Sequence, residues 1–325
     1  MRIFVTGASG FVGRRLLREL LRRGDHVLAL SRHAANITGV ASDLAGNGGA
    51  EQRLTVLQGD PTKAGPWQQR IAECDAVVAL AGEPVMGARW TADFKRRLYD
   101  SRIEGLRRIN EAMANASAMP SANPGKCPRV LVSASAVGYY GMHGREPLTE
   151  SSKAGTDFLA GLCVDWEAAA EAAKAQGVRV VTLRIGVVLG EGGGALEKML
   201  PAFRAFVGGP LGSGEQFVPW VHLDDVLGLI LLALEKPEAH GPINAVAPEP
   251  ATMRELALQL GRTLQRPTLF SVPETALKLM LGERAQVLLG SQQVVPQRAR
   301  ELGYRFKHED LASAVRAVLG RTGKL

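Results

Sequence analysis

The feature that most constrains the fold is a short apolar segment followed by three evenly spaced glycines and an amphipathic segment. Arg2–Thr6 has the composition of a buried strand, Gly7, Gly10 and Gly13 follow it, and leucines then recur with helical spacing. In such a unit the first glycine permits a tight turn, the second lets backbone amides approach a ligand, and the third lets the helix pack closely on the sheet. The spacing therefore predicts a strand–turn–helix unit whose helix N-terminus binds a pyrophosphate. The residues expected to hold the dinucleotide there are Gly7, Ser9, Gly10, Phe11, Val12 and Gly13.

The first half of the chain alternates short apolar runs with helical patterns. Runs of this length without polar alternation are typical of parallel strands that are buried on both faces. The expected strands are Arg2–Thr6, His26–Leu30, Leu54–Leu57, Ala76–Leu80, Arg129–Ser133 and Arg179–Arg184. The expected helices are Val12–Arg23, Trp67–Glu73, Phe94–Ala116 and Phe158–Gln176. This alternation predicts an α/β fold with a Rossmann-type, doubly wound parallel sheet.

Three glycine- or proline-rich segments interrupt this pattern. Ala116–Pro128 has the composition of a surface loop, and Gly190–Gly194 and Gly208–Gly214 are expected to be mobile loops near a site. Beyond Pro267 the pattern is that of compact helices with no clear strand. We therefore predict a dinucleotide-binding domain over residues 1–265, with substrate-side insertions around 190–215, and a small, mostly helical C-terminal domain over 266–325.

Charge and cysteine content exclude several classes of function. The net charge is +7, but the densest basic cluster shares one predicted helix with apolar leucines, so we interpret it as a solvated helix face rather than a nucleic-acid site. The three cysteines are widely spaced, which predicts neither a disulfide framework nor a metal site. The chain starts on a strand without a signal-peptide pattern and contains no apolar run of about 20 residues. We expect a cytoplasmic protein that binds neither nucleic acid nor membrane.

The end of the second predicted strand indicates which dinucleotide is bound. An NAD site usually has a carboxylate at this position, whereas here the strand ends in Ser31-Arg32. Arg32 can pair with a 2′-phosphate and Ser31 can hydrogen-bond it. An ordinary exposed loop arginine remains the alternative, but the pattern favours NADP(H). The small residue Gly82 after the fourth strand leaves room for the adenosine and ribose.

Longer motifs resemble the atypical short-chain dehydrogenase/reductases known as nucleoside-diphosphate-sugar epimerase family proteins. The glycine spacing is that of the superfamily, and four further stretches carry the likeness to this branch: residues 80–84, 90–102, 132–141 and 184–190. The likeness continues through residues 212–225 and a helical appendage near 287–304, so it covers nearly the whole chain. It implies NADP binding by Ser31, Arg32, Leu80, Ala81 and Arg102, with the backbone near Val188 facing the nicotinamide end.

The catalytic residues of this superfamily are only partly present. The resemblance implies a serine after the fifth strand, which Ser135 matches, and a Tyr-x-x-x-Lys pair on the next helix. The matching helix places Leu159 and Cys163 at the tyrosine and lysine positions, and neither side chain can replace them. Tyr139 is a substitute acid–base candidate, with a packing role as its alternative. Further polar candidates for the site are Tyr140, Glu83, Lys95, His222 and Asp224, of which Asp224 is expected to cap a helix.

Two functions remain open at this point. The first is an NADP-dependent oxidoreductase or epimerase that acts on a small, sugar-like substrate with an unconventional acid–base group. The second is a non-catalytic NADP(H)-binding regulator or redox sensor. The intact Ser135 favours the enzyme, whereas Leu159 and Cys163 favour the sensor. The oligomeric state is open in either case, although folds that this chain resembles often form a homodimer through the two long helices, here Phe94–Ala116 and Phe158–Gln176.

Overall fold

The computed structural model describes residues 1–37, 49–118 and 127–320. The predicted loop Ala116–Pro128 therefore lies mostly outside the described residues. Its first residues, 116–118, still belong to a helix.

A seven-stranded parallel sheet forms the centre of the molecule, in the order β3-β2-β1-β4-β5-β6-β7. Its strands are β1 Arg2–Thr6, β2 His26–Ser31, β3 Leu54–Gln58, β4 Ala76–Ala79, β5 Val130–Ala136, β6 Arg179–Ile185 and β7 Gly241–Ala245. The order reverses between β1 and β4, and ligands of such sheets bind in the crevice outside the carboxyl ends at this point.

The six predicted strands are all present, with ends shifted by up to three residues, and the seventh is an addition. The sequence does not predict β7 because it begins Gly241-Pro242, and both residues weaken a strand interior. This strand lies at the edge of the sheet beside β6, where a proline is tolerated.

Helices cover both faces of the sheet, as the doubly wound prediction requires. The α-helices are α1 Phe11–Arg22, α2 Ala50–Arg53, α3 Ala92–Ala118, α4 Phe158–Glu171, α5 Gly194–Arg204, α6 Leu223–Glu235, α7 Met253–Leu264, α8 Glu274–Leu281, α9 Ala285–Leu289, α10 Gln297–Glu301 and α11 Leu311–Gly320. The 3₁₀ helices are Pro66–Glu73, Val137–Tyr140, Ala172–Gln176 and Gly282–Arg284. Two predicted helices thus differ in type: the first 3₁₀ segment replaces Trp67–Glu73, and α4 ends at Glu171 rather than at Gln176.

Apolar side chains from these helices form a core on each side of the sheet. Leu17 of α1 and Ile230 of α6 are fully buried in the core on one face, and Ile109 of α3 and Trp166 of α4 lie in the core on the other. The arginines of α1 are exposed or half-buried on the opposite side of that helix. This arrangement agrees with the interpretation of the basic cluster as a solvated helix face.

The C-terminal region is held on α6 by one buried carboxylate. Asp225 accepts hydrogen bonds from the backbone amides of Lys307, at 2.7 Å, and His308, at 3.1 Å, and from the Tyr304 hydroxyl, at 3.0 Å. A Cβ at Gly228 would lie only 2.0 Å from the Tyr304 hydroxyl oxygen. The bare backbone of α6 at this position therefore lets Tyr304 pack directly against the helix.

Within the described ranges, three short strand pairs lie outside the large sheet. Val187–Leu189 pairs with Trp220–His222, Phe217–Val218 with Ala251–Thr252, and Pro147–Leu148 with Gln293–Val294. The last pair corrects the prediction that no strand follows Pro267; a two-residue strand is too short to show an alternating pattern. None of the helices in the described ranges is long and apolar enough to cross a membrane.

Candidate dinucleotide-binding and active site

The glycine loop lies directly against the turn that follows β4. Gly7 has a φ of +72°, and a Cβ there would be 2.6 Å from the Leu80 carbonyl carbon and 2.7 Å from the Ala81 nitrogen. The Leu80 amide donates a hydrogen bond to the Thr6 carbonyl at 3.2 Å. Only glycine fits this position, so the structure brings the predicted residues Gly7, Leu80 and Ala81 together at the edge where β1 and β4 end.

The start of α1 is open to an anion. Gly10 is the N-cap residue and is exposed, no side chain caps the helix, and its first turn contains no acidic residue. A Cβ at Gly13 would lie 2.1 Å from the Gly7 carbonyl oxygen, so the helix packs closely on the loop. Ser9, which lies between Gly7 and Gly10 in the sequence of the loop, is half-buried. Uncapped amides at a helix N-terminus are suited to bind phosphate oxygens.

The predicted loop Gly190–Gly194 covers the first turn of α1. A Cβ at Gly193 would be 2.5 Å from the ring of Phe11, and one at Gly190 would be 2.8 Å from it. A Cβ at Gly194 would be 2.7 Å from the carbonyl oxygen of Val188. The glycines of this loop therefore allow a close approach to Phe11, and they bring Val188 to the same side of the site. Val12 packs on the adjoining core instead.

The end of β2 presents one exposed cation. Ser31 is buried, and its hydroxyl donates to the His33 carbonyl at 3.0 Å. Arg32 is exposed, and among the described residues it has no ion-pair partner. A guanidinium in this state is available for a ligand phosphate.

Arg102 is buried rather than lying on the surface of its helix. Its guanidinium donates to the carbonyls of Glu83 and Leu98, both at 3.0 Å, and lies 4.8 Å from the centre of the Trp166 ring. A Cβ at Gly82 would be 3.2 Å from the Arg102 Cζ. Arg102 therefore holds the turn after β4 in place from the protein interior. Its two hydrogen bonds to backbone carbonyls leave fewer of its N–H donors for a ligand.

Ser135, the predicted catalytic serine, is 2% exposed and donates a hydrogen bond to Glu167 at 2.7 Å. Glu167 also accepts two hydrogen bonds from Arg184, both at 2.8 Å, from Nε and Nη2. Burial lowers the pKa of Arg184, but the hydrogen bonds and the charge of Glu167, together with the Tyr140 hydroxyl, outweigh this effect and raise the pKa above its usual range. This bidentate pair joins α4 to β6 beneath the site.

The two tyrosines after β5 have different environments. Tyr140 is fully buried; its hydroxyl donates to Asn244 at 2.6 Å and accepts from Arg184 at 3.0 Å. Burial raises the pKa of Tyr140 to about 12 despite the opposing effect of Arg184. Tyr139 is half-buried, the Arg184 guanidinium lies 3.4 Å from its ring centre, and no described residue hydrogen-bonds to its hydroxyl. Of the two, Tyr139 has the hydroxyl that is available to a ligand.

Leu159 and Cys163 face the loop that carries these tyrosines. A Cβ at Gly138 would lie 3.4 Å from the Leu159 Cβ and 3.7 Å from the Cys163 sulfur. Burial raises the pKa of the Cys163 thiol to about 12, so the thiol is protonated at neutral pH. At the positions where the resemblance implies a tyrosine and a lysine, this helix face therefore contributes an alkyl group and a neutral thiol.

The prediction that Asp224 caps a helix is wrong. His222 is the N-cap residue of α6, and its Nδ1 accepts the hydrogen bond of the Asp224 amide at 3.0 Å. His222 also packs on His308, with ring centres 3.8 Å apart. The sequence could not indicate this because His308 belongs to the C-terminal region.

His222, Asp224 and His308 have potential metal-ligand atoms within 4.8 Å of one another, but the packed rings and the cap already explain their arrangement. The expectation of no metal site stays a prediction.

The remaining polar candidates do not converge on Ser135. Lys95 forms an ion pair with Glu283 at 2.5 Å. The amide of Glu83 donates to the Ser101 hydroxyl at 3.0 Å, which fixes the turn after β4 to α3. The sequence analysis missed the polar partners of the site residues: Glu167, and also Glu150 and Asn244, where the Glu150 carboxylate accepts the backbone amide of Asn244 at 2.9 Å. No local pattern links these two positions, because they meet only through the fold.

This combination of sheet order, glycine loop and helical appendage defines a dinucleotide-binding member of a known family. The chain belongs to the NAD dependent epimerase/dehydratase family, whose model matches residues 3–246. A domain of unknown function (DUF1731) matches residues 272–318, in the C-terminal region. The resemblance inferred from the motifs is therefore confirmed.

Individual relatives match along nearly the whole chain. The Arabidopsis thaliana "Epimerase family protein SDR39U1 homolog, chloroplastic" is 42% identical over 98% of this chain and 87% of its own length. The structure of human epimerase family protein SDR39U1 (isoform 2), determined with NADPH, has a TM-score of 0.81 and 32% identity, and the match covers 98% of this chain and 99% of that one. A nucleoside-diphosphate sugar epimerase from Corynebacterium glutamicum has a TM-score of 0.73 and 28% identity over 99% of this chain and 58% of its own.

Proposed function

We propose that this chain binds NADP(H) in the crevice between β1 and β4 and uses it to oxidise, reduce or epimerise a small molecule. The observation that carries this proposal is the glycine loop, which is seated on the Leu80–Ala81 turn beside an uncapped α1. The NADPH in the structure of the human relative supports the choice of cofactor.

The described residues fit such a cofactor. The amides of Gly10–Gly13 would hold the pyrophosphate, Arg32 and Ser31 the 2′-phosphate, and the backbone of Leu80–Gly82 the adenosine end. Arg102 would act as a positioning residue, since it holds the turn from below. When bound, the nicotinamide supplies the hydride acceptor or donor, and the backbone near Val188 would lie at that end.

Tyr139 is the acid–base residue in this proposal. Its hydroxyl has no hydrogen-bond partner among the described residues, and the guanidinium of Arg184 lies over its ring. Ser135 would orient the substrate, for which its hydroxyl has to turn away from Glu167.

A second candidate is a non-catalytic NADP(H) sensor. The observation in its favour is the pairing of Leu159 with a buried, protonated Cys163 beside Gly138. In this case cofactor binding would change a surface that a partner recognises, and no hydride would be transferred.

A metabolite screen that follows NADPH absorbance separates the two candidates. We expect turnover of a small carbonyl or sugar-like compound that falls at least about a hundredfold in Tyr139→Phe and Ser135→Ala, while NADPH affinity is retained. An enzyme with full activity in Tyr139→Phe would contradict the assigned proton donor, and no turnover across the library would favour the sensor.

The expected partners and location follow from the same proposal. A small, sugar-like molecule is the proposed substrate, and the nucleoside-diphosphate sugar epimerase among the structural relatives supports that class. The absence of nucleic-acid binding and the cytoplasmic location stay predictions. So does the homodimer, which is supported by the exposed apolar side chains of Tyr99 on α3 and Val164 on α4.

A further inference from the structure

One basic side chain of the site has no role in the proposed function. The ammonium group of Lys95 lies 5.1 Å from the centre of the Phe158 ring and 5.9 Å from that of Trp90. The two rings pack edge to face, with their centres 5.5 Å apart. Aromatic rings attract an ammonium group, so the rings of Phe158 and Trp90 hold the Lys95 side chain in place.

Lys95 lies on α3 and contacts Phe158 at the start of α4, and both helices border the site. Its helix, α3, also carries Ser101, whose hydroxyl accepts the Glu83 amide in the turn after β4. Phe158 directly precedes Leu159, which lies against Gly138 in the loop that carries Tyr139. The two rings beside the ammonium group and Leu159 pack against the same apolar cluster, formed by Phe94, Leu98 and Leu162. This cluster connects the surroundings of Lys95 with the loop that carries Tyr139.

The partner of Lys95 comes from the C-terminal region. Glu283 contacts Nζ at 2.5 Å; its side chain is 61% exposed, whereas that of Lys95 is only 29% exposed. The neighbouring Arg284 donates to the Met86 carbonyl at 3.5 Å, so this segment reaches across to the segment that precedes α3. An exposed carboxylate of this kind contributes little binding free energy and is easily displaced.

We propose that Lys95 binds an anionic group of the substrate, a carboxylate or a phosphate, and that Glu283 occupies the same position when substrate is absent. The Glu283 carboxylate shows that an anion fits against Nζ. Because the rings of Trp90 and Phe158 already hold the Lys95 side chain, this side chain loses little conformational freedom when an anion binds. This inference rests on the proposed function, because it places the substrate in the same crevice.

The test is calorimetric titration of NADP⁺-saturated protein with inorganic phosphate and, separately, with succinate. NADP⁺ is present so that neither anion binds at the glycine loop. We expect Glu283→Gln to bind the preferred anion about two- to fivefold more tightly, since the competing carboxylate is gone. Lys95→Met keeps the alkyl chain over the rings and should bind neither anion, whereas Lys95→Arg should restore binding. Stronger binding of one anion identifies which group the substrate carries.

The Lys278–Glu274 pair on α8 supplies matched controls, because it is an exposed ion pair of the same type. Lys278→Met and Glu274→Gln should bind both anions as the wild type does. Unchanged anion binding in Lys95→Met, or no anion binding in both the wild type and Glu283→Gln, would overturn the proposal. If the wild type fails to bind NADP⁺, the proposed function fails. Lys95 can then still be tested by comparing anion binding of the wild type and Lys95→Met without cofactor. Both proteins contain the same glycine loop, so any difference in anion binding is due to Lys95.

Discussion

Among the three glycines of the dinucleotide loop, Gly7 is the one that combines a positive φ with a close contact at the position of a Cβ. Its φ is positive, and a Cβ added to it would lie 2.6 Å from the backbone of Leu80, which makes two separate constraints. Gly24, in the turn between α1 and β2, has a φ of +87° but open space around it, so it shares only the first constraint.

This difference predicts unequal effects of the same substitution. Gly24→Ala should lower the free energy of unfolding by about 1–2 kcal/mol, from backbone strain alone. Gly7→Ala should lower it by more and abolish NADPH binding, because the loop has to move away from the turn. Urea unfolding and NADPH fluorescence titration measure the two effects. Equal unfolding free energies for the two variants would show that the contact with Leu80 is not restrictive.

In the proposed function, Arg32 is the residue on which the choice between NADP(H) and NAD(H) depends. Arg32→Ala should weaken NADPH binding about 10- to 100-fold, the loss expected for charge-assisted hydrogen bonds to a phosphate. It should leave NADH affinity almost unchanged. Arg22→Ala, on the exposed side of α1, controls for the loss of a surface charge. Equal losses for both cofactors would contradict the assignment of Arg32 to the 2′-phosphate.

Among the secondary-structure elements, α4 and β6 depend on the buried pair of Glu167 and Arg184. Each partner is nearly inaccessible, with side chains 13% and 3% exposed. Burying both charges is costly, and their bidentate hydrogen bonds offset that cost only while both are present.

Breaking this pair on one side should therefore be worse than replacing both partners. Arg184→Met should lower the free energy of unfolding by about 3–5 kcal/mol, because it leaves the Glu167 carboxylate buried and unpaired. The double variant Glu167→Leu with Arg184→Met should recover part of this loss, which a double-mutant cycle from chemical denaturation would measure. Additive effects of the two substitutions would contradict a coupled pair.

On the scale of the whole molecule, the C-terminal region and the sheet share their cores. Ala299, Leu302 and Phe306 are buried in the same core as α1 and α6. The predicted boundary at residue 265 stays a prediction, but this packing indicates that the two regions unfold together.

Asp225 is the residue that best tests this coupling. Asp225→Asn should lower the free energy of unfolding by about 2–4 kcal/mol, because a carboxylate that accepts three hydrogen bonds is replaced by an amide that repels one of the donors. Asp224→Asn, in the same first turn, should cost less than about 1 kcal/mol. A single transition by both circular dichroism and tryptophan fluorescence is expected. Two separate transitions in the wild type would show that the C-terminal region unfolds independently.

The sequence by itself determined the strand–turn–helix unit, six of the seven strands and the class of cofactor. These features depend on residues that are close together in the chain: glycine spacing, apolar runs and the Ser31-Arg32 strand end all act locally. Their physical basis, steric room and burial of apolar surface, can be read from neighbouring positions.

Only the tertiary structure decided which polar residues act together. It buried Arg102 under the turn, tied Ser135 to Glu167, made His222 rather than Asp224 the helix cap, and joined Lys95 to Glu283. These partners are distant in the chain or have no characteristic spacing, so no periodic pattern links them. The pairing of the buried groups depends on desolvation, because a polar group buried by the fold has to take a partner from whichever element packs beside it.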